Sequence, residues 1–125
     1  MYNRKSEAKI KQQKTESILK EIIPEALASL SDGRLHGLAV VNVVCSRGRS
    51  DAKIYLDPAF ILKEEKEPII RLLQKARIVI EKHCANEQGW FRTPKLSFTF
   101  DDTLSHENKM TELFKKIGVD LHDEN

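Results

Sequence analysis

The chain has 125 residues, 40% of them hydrophobic and 32% charged, with a net charge of +2 at neutral pH. That length supplies one domain with one core, that composition suits a compact protein with a heavily charged surface, and no run of about 18 apolar residues offers a membrane span. The charge is uneven: residues 1–20 carry six Lys or Arg against two Glu, whereas residues 101–125 carry three Lys against seven acids. A basic front and an acidic tail leave a positive side suited to polyanions, or a solvated helix face followed by a disordered tail.

The opening MYNRKSEAKIKQQK lacks the apolar core of a secretory signal, so a cytoplasmic protein is expected. Ile18, Leu19, Ile22, Ile23, Ala26, Leu27 and Leu30 follow helical spacing and predict a helix starting near Ser6 or earlier. Pro24 lies inside it, where its ring presses on the Lys20 carbonyl, so a kink or break is expected. Ser31-Asp32-Gly33 reads as a turn. Leu38 to Cys45, LAVVNVVC, is rich in β-branched residues and predicts a strand buried on much of both faces. Ser46 to Ser50, SRGRS, supplies a turn containing glycine. Asp51 to Leu56 then alternates, Ala52, Ile54 and Leu56 against Lys53 and Tyr55, which completes an antiparallel hairpin.

Asp57-Pro58 ends that strand. Pro68 suits the first position of a second helix, marked by Ile69, Leu72, Leu73, Ala76, Val79 and Ile80 and closed around Asn86 to Gly89. Pro94 opens a third strand, in which Leu96, Phe98 and Phe100 alternate with Ser97 and Thr99. Met110, Leu113, Phe114 and Ile117 predict a short last helix. The simplest packing is an α+β fold, one three-stranded sheet with helices on one face. It makes a single domain over residues 1–117, with a flexible acidic tail over 118–125.

The order of elements resembles the type II KH domain, an RNA-binding fold of α-β-β-α-α-β order with, here, a short C-terminal helix. More narrowly the chain resembles the ribosome-binding factor A family. Ser31 to Leu38, SDGRLHGL, is similar to the family's Asp-Pro-Arg-Leu-Gly approach to the first strand, with Gly33 in place of proline. Ser46 and Ala52-Lys53-Ile54-Tyr55 resemble the family's hairpin, and RTPKLSFTFDDTL resembles its Pro-x-Leu-x-Phe strand with acidic residues and Leu after it. The likeness spans roughly residues 4 to 117. One departure stands out: where the family has an Ala-x-Gly interruption between two helices, this chain reads Ala76-Arg77-Ile78. Ile78 disfavours the left-handed backbone that glycine permits, so the bend is milder or the helix is continuous.

The resemblance implies a factor for late maturation of the small ribosomal subunit. It would bind free 30S subunits and 16S rRNA without catalysis and support growth in the cold. No cofactor, metal, small-molecule substrate or membrane partner is expected, and the protein would be a monomer. Arg47 and Arg49 flank Gly48 in the hairpin turn and present guanidinium forks that suit phosphates, or simply keep the turn soluble. Lys75, Arg77 and Lys82 lie off the apolar stripe and line either a nucleic-acid face or a solvated one. Lys11 and Lys14 would add long-range attraction. Trp90, Phe91 and Arg92 are candidates for stacking on bases; the alternative is that Trp90 and Phe91 cover the core edge.

Catalytic patterns are missing. His83 and Cys84 are adjacent and point about 100° apart on a helix, no zinc-ligand spacing occurs, and no Gly-rich phosphate loop is present. Cys45 and Cys84 read as small buried apolar residues in reduced form. No enzymatic activity is therefore expected. The competing reading is a protein-interaction module that offers its basic face to an acidic partner.

Overall fold

Leu19, Ile22, Ile23, Ala26 and Leu27 recur at helical spacing, and all are buried in the computed structural model, which describes residues 4–102. They form the inner stripe of α1 (Arg4–Ala28), while Lys9, Lys11, Lys14 and Lys20 stay exposed. The break considered at Pro24 does not occur, since the helix runs through it to Ala28. Proline removes one amide donor from the ladder, and burial of Ile23, Ala26 and Leu27 around it holds the segment helical. Asp32 then caps a 3-10 turn, Gly33–Leu35, its carboxylate accepting from the Arg34 N–H at 3.0 Å and meeting the Arg34 guanidinium at 2.9 Å. Hydrogen bonding to Arg34 keeps the Asp32 carboxyl below the usual range, and Leu35 drops into the core behind the turn.

All three predicted strands form, β1 (Val40–Cys45), β2 (Asp51–Leu56) and β3 (Lys95–Phe100), and β2 and β3 follow the predicted alternation. The sheet order is β1-β2-β3, antiparallel between β1 and β2 and parallel between β2 and β3. In register, Cys45, Ala52 and Leu96 form one inner row, and Val43, Ile54 and Phe98 the next. The expectation of burial on both faces of β1 is overturned, because Val41 and Val44 are exposed and the register shifts between Val40 and Asn42. β1 is an edge strand, and the helices cover only the face that carries Val43 and Cys45. The central place belongs to β2, which pairs on both sides.

A parallel β2–β3 pair needs a crossover, and α2 (Lys63–Gln88) provides it. The helix starts five residues before Pro68, the predicted first position. Glu65 explains the difference: its carboxylate accepts the Leu62 N–H at 3.1 Å, and the Glu65 N–H donates to the Leu62 carbonyl at 2.9 Å. These bonds satisfy groups that a helix start leaves open. The charged run before Pro68 is thus the helix's first turn. α2 continues without interruption through Ala76–Ile78, so the α-α pair of the expected order is one helix. Ile69, Leu73, Ile80 and Cys84 are its buried stripe, and Val79, assigned to that stripe from spacing, is exposed. Gly89 ends it in the left-handed conformation at φ 67°, the predicted C-cap.

No helix among the described residues is long and apolar enough to cross a membrane. The predicted short helix at Met110 to Ile117, the domain limit at residue 117 and the tail over 118–125 lie outside the described residues.

Candidate nucleic-acid interface

The end of β1 is tied to the first half of α1. The Cys45 carbonyl accepts from Gln12 Nε2 at 2.7 Å, and the Cys45 N–H donates to Glu16 Oε2 at 2.8 Å. Past Cys45 the chain reverses: the Ser46 N–H donates to the Asp51 carbonyl at 2.8 Å, and the Arg49 N–H donates to the Ser46 carbonyl at 2.9 Å. Within this turn the left-handed backbone falls on Arg49, at φ 60°, and not on Gly48. That conformation is uncommon outside glycine, asparagine and aspartate.

The start of β3 lies against the same turn, where the Lys95 N–H donates to the Ser50 carbonyl at 2.9 Å. The segment leading there from α2 is fixed by the Trp90 N–H on the Ala85 carbonyl at 2.9 Å and by Thr93 Oγ1 on the Glu81 carbonyl at 2.8 Å. One pole of the molecule therefore gathers the N-terminal half of α1, the hairpin turn and the loop from Gly89 to Pro94.

Two adjoining grooves run across that pole and share Arg49 as a wall. One, of about 330 Å³, is lined by Thr15, Arg49, Trp90, Phe91, Arg92 and Pro94; the other, of about 340 Å³, by Glu7, Lys11, Arg47, Gly48 and Arg49. Arg47, Arg49 and Arg92 are exposed, and none forms an ion pair among the described residues. Lys11 meets Glu7 at 3.6 Å, so part of its charge is already matched. Trp90 packs against the core, as one sequence reading had it, but Phe91 is 98% exposed and covers nothing. Of the two neighbouring rings, only Trp90 faces inward.

The remaining candidates are elsewhere. Lys14 is exposed on α1 and Lys82 on α2. Lys75 borders a shallow groove with Leu30, Asp32, Leu35 and Leu72, about 20 Å along the helix from its C-terminal end at the pole. Arg77 is engaged: its guanidinium donates to Glu81 Oε2 at 3.1 Å, and the same oxygen accepts the Leu96 N–H at 2.9 Å. Together they fasten α2 to β3. Sequence reasoning missed Glu81, although its spacing of four from Arg77 is the ordinary signature of a helical ion pair. It also missed Arg49's backbone, which no local pattern announces.

Burial pushes both thiols up to about 11, that of Cys45 with help from the Glu16 charge and that of Cys84 with help from Glu81. At neutral pH both are protonated, buried groups rather than nucleophiles. No cluster of three or more metal-ligating side chains occurs among the described residues.

Unpaired guanidinium groups beside a bare aromatic ring suit a partner with spaced negative charges and flat rings. The molecule is thus a small α+β domain with a cationic pole that carries an exposed aromatic ring. The chain belongs to the ribosome-binding factor A family, whose model matches residues 11–114. It is 48% identical over 116 residues to ribosome-binding factor A of Campylobacter jejuni (strain RM1221), covering 93% of this chain and 97% of that one. The crystal structure of ribosome-binding factor A from Thermus thermophilus superposes with a TM-score of 0.62 at 28% identity, covering 71% of this chain and 93% of that one. A homology model of the Thermus thermophilus factor, fitted into a cryo-EM map of its complex with 30S, matches at a TM-score of 0.58 and 28% identity, covering 69% and 90%.

Proposed function

We propose that this chain is a non-catalytic maturation factor of the small ribosomal subunit. In this reading it is a cytoplasmic monomer that binds free 30S subunits through 16S rRNA during late rRNA processing. Membership of the family supports this reading, as does the fit of a related factor into a map of a 30S complex. The observation that carries it is the pole itself, where Arg47, Arg49 and Arg92 stand exposed without carboxylate partners among the described residues. These three are the primary phosphate contacts; Lys11, partly matched by Glu7, adds attraction at longer range with Lys14 and Lys82. Lys75 lies to one side, and Arg77 acts through the Glu81 clamp by holding β3 in place.

Binding energy does the work. A protein that favours one rRNA arrangement over another shifts the population toward it by the difference in affinity, with no bond made or broken. The family membership favours this reading over a module for an acidic protein partner.

Affinity for purified small subunits, measured across a salt series, tests the reading. With roughly four to six phosphate contacts, the log–log slope should lie near −3 to −5. Affinity that stays flat from low to physiological salt would overturn it. In extract, the protein should sediment with free small subunits and not with joined ribosomes.

A further inference from the structure

We infer that the groove between the hairpin turn and the loop after α2 is a seat for one unpaired nucleotide, with its base stacked on Phe91. This rests on the rRNA-binding reading and narrows it to single-stranded RNA at this pole.

An exposed phenylalanine is not in itself a site, since single apolar residues are common on surfaces. Two such rings on this molecule can be compared. Phe60 is as exposed as Phe91, but it stands in an apolar run, Ala59 to Leu62. Phe91 instead stands on the rim of a groove of about 330 Å³ with Arg49 and Arg92 around it. Both guanidinium groups are exposed, and neither meets a carboxylate among the described residues. The ring offers a flat apolar face, and the cations beside it supply partners for the phosphates on either side of a base.

In a duplex the faces of the bases are already covered by their neighbours, so only an unpaired base can lie on the ring. Buried Pro94 and Thr15 also line the groove, and both are fixed by the core behind them. Thr15 Oγ1 is held by the Lys11 carbonyl at 3.0 Å, which keeps that wall in place. A protein partner would favour a wholly apolar surround for the ring, whereas here two exposed guanidinium groups, Arg49 and Arg92, stand beside the apolar Trp90 and Pro94.

The test uses the full chain with a short unstructured oligoribonucleotide, the same strand annealed into a duplex, and purified small subunits. Wild type is compared with Phe91→Ala, Phe91→Leu and Phe91→Trp. Phe91→Ala and Phe91→Leu should each weaken binding of the single strand by about 5- to 100-fold and leave the duplex unaffected. Phe91→Trp should retain wild-type affinity. The single strand, and not the duplex, should quench the fluorescence of Trp90, the chain's one tryptophan and part of the groove wall.

Equal losses for both RNA forms, or full single-strand binding by Phe91→Leu, would overturn the stacking assignment. So would a lowered melting temperature in Phe91→Ala, because a ring 98% exposed should carry no stability. Lost subunit binding with unchanged affinity for naked RNA would assign the ring to a protein contact instead. If wild type binds subunits with the expected salt slope while Phe91→Ala alters neither RNA form, stacking fails and the proposed function stands. If wild type binds neither subunits nor RNA, both fail.

Discussion

Arg49 and Arg77 are both arginines off the apolar pattern of the sequence, yet the molecule uses them in opposite ways. At the hairpin pole, Arg49 is exposed, free of carboxylates among the described residues, and accompanied by Arg47 and Arg92. In the middle of α2, Arg77 is half-buried and hydrogen-bonded to Glu81, whose carboxylate also holds the Leu96 amide of β3. Whether a cation is available to a ligand is decided by the nearest carboxylate and by what that carboxylate already holds. Position off an apolar stripe does not decide it.

Neutralising the pole breaks the comparison most forcefully. With Arg47, Arg49 and Arg92 all changed to Ala, the salt slope for small-subunit binding should flatten by about 2 to 3, which at ~0.15 M salt corresponds to roughly a hundredfold loss of affinity. Melting temperature should hardly move, because exposed side chains without partners contribute little to folding. Arg77→Ala should behave in the reverse sense, with lower stability and nearly intact binding. If Arg77→Ala matched the triple variant in affinity and kept its melting temperature, the assignment of the two regions would have to be exchanged.

The clamp on α2 can be tested from its other member. Glu81→Ala leaves the Arg77 guanidinium and the Leu96 amide without their shared acceptor. Loss of a charged acceptor at a half-buried site should cost about 2 kcal/mol and lower the melting temperature by roughly 10 °C. Glu81→Gln keeps an acceptor for Leu96 and should lose about half as much. Binding per folded molecule should not change. Thermal melts followed by circular dichroism, with subunit affinity measured well below the transition, separate the two effects. A Glu81→Ala protein as stable as wild type would show that the carboxylate holds nothing together.

Much of this arrangement could be read from sequence where the signal is local. The alternation through Leu96, Phe98 and Phe100, the stripe from Leu19 to Leu27 and the hairpin around SRGRS each depend on residues a few positions apart, and each matches the structure. What failed depends on partners distant in sequence or on competing local rules. LAVVNVVC is apolar enough for a central strand, but the pairing of β2 with β3 leaves β1 at the edge. Pro68 satisfies the rule for a helix start, and Glu65 satisfies an earlier one that also closes hydrogen bonds. Within the candidate site, the residue types around the turn and at Trp90 to Arg92 were legible. The Arg77–Glu81 pair was also within reach, at a spacing of four on one helix, but that the two segments share a groove and that Phe91 is the bare ring of the pair follow from how β3 returns beside β2. No window of sequence contains that.

The smallest effect concerns the backbone of the turn, where stability and binding should move in opposite directions. Arg49 has φ 60°, a conformation that costs an L-residue with a Cβ about 1–2 kcal/mol. Glycine avoids that cost, but it also widens the unfolded ensemble, which returns part of the gain. Arg49→Gly should therefore be more stable by about 0.5 kcal/mol, a rise of a few degrees in melting temperature. Loss of one phosphate contact should meanwhile weaken subunit binding about fivefold at ~0.15 M salt. Arg49→Ala is the informative control, because it removes the same charge and keeps the Cβ. It should match the glycine variant in affinity and fall below it in melting temperature. Were the two variants to melt alike, the turn would hold no strain at this position. Were Arg49→Gly to bind as wild type does, the backbone of the turn rather than its guanidinium would be what meets the rRNA.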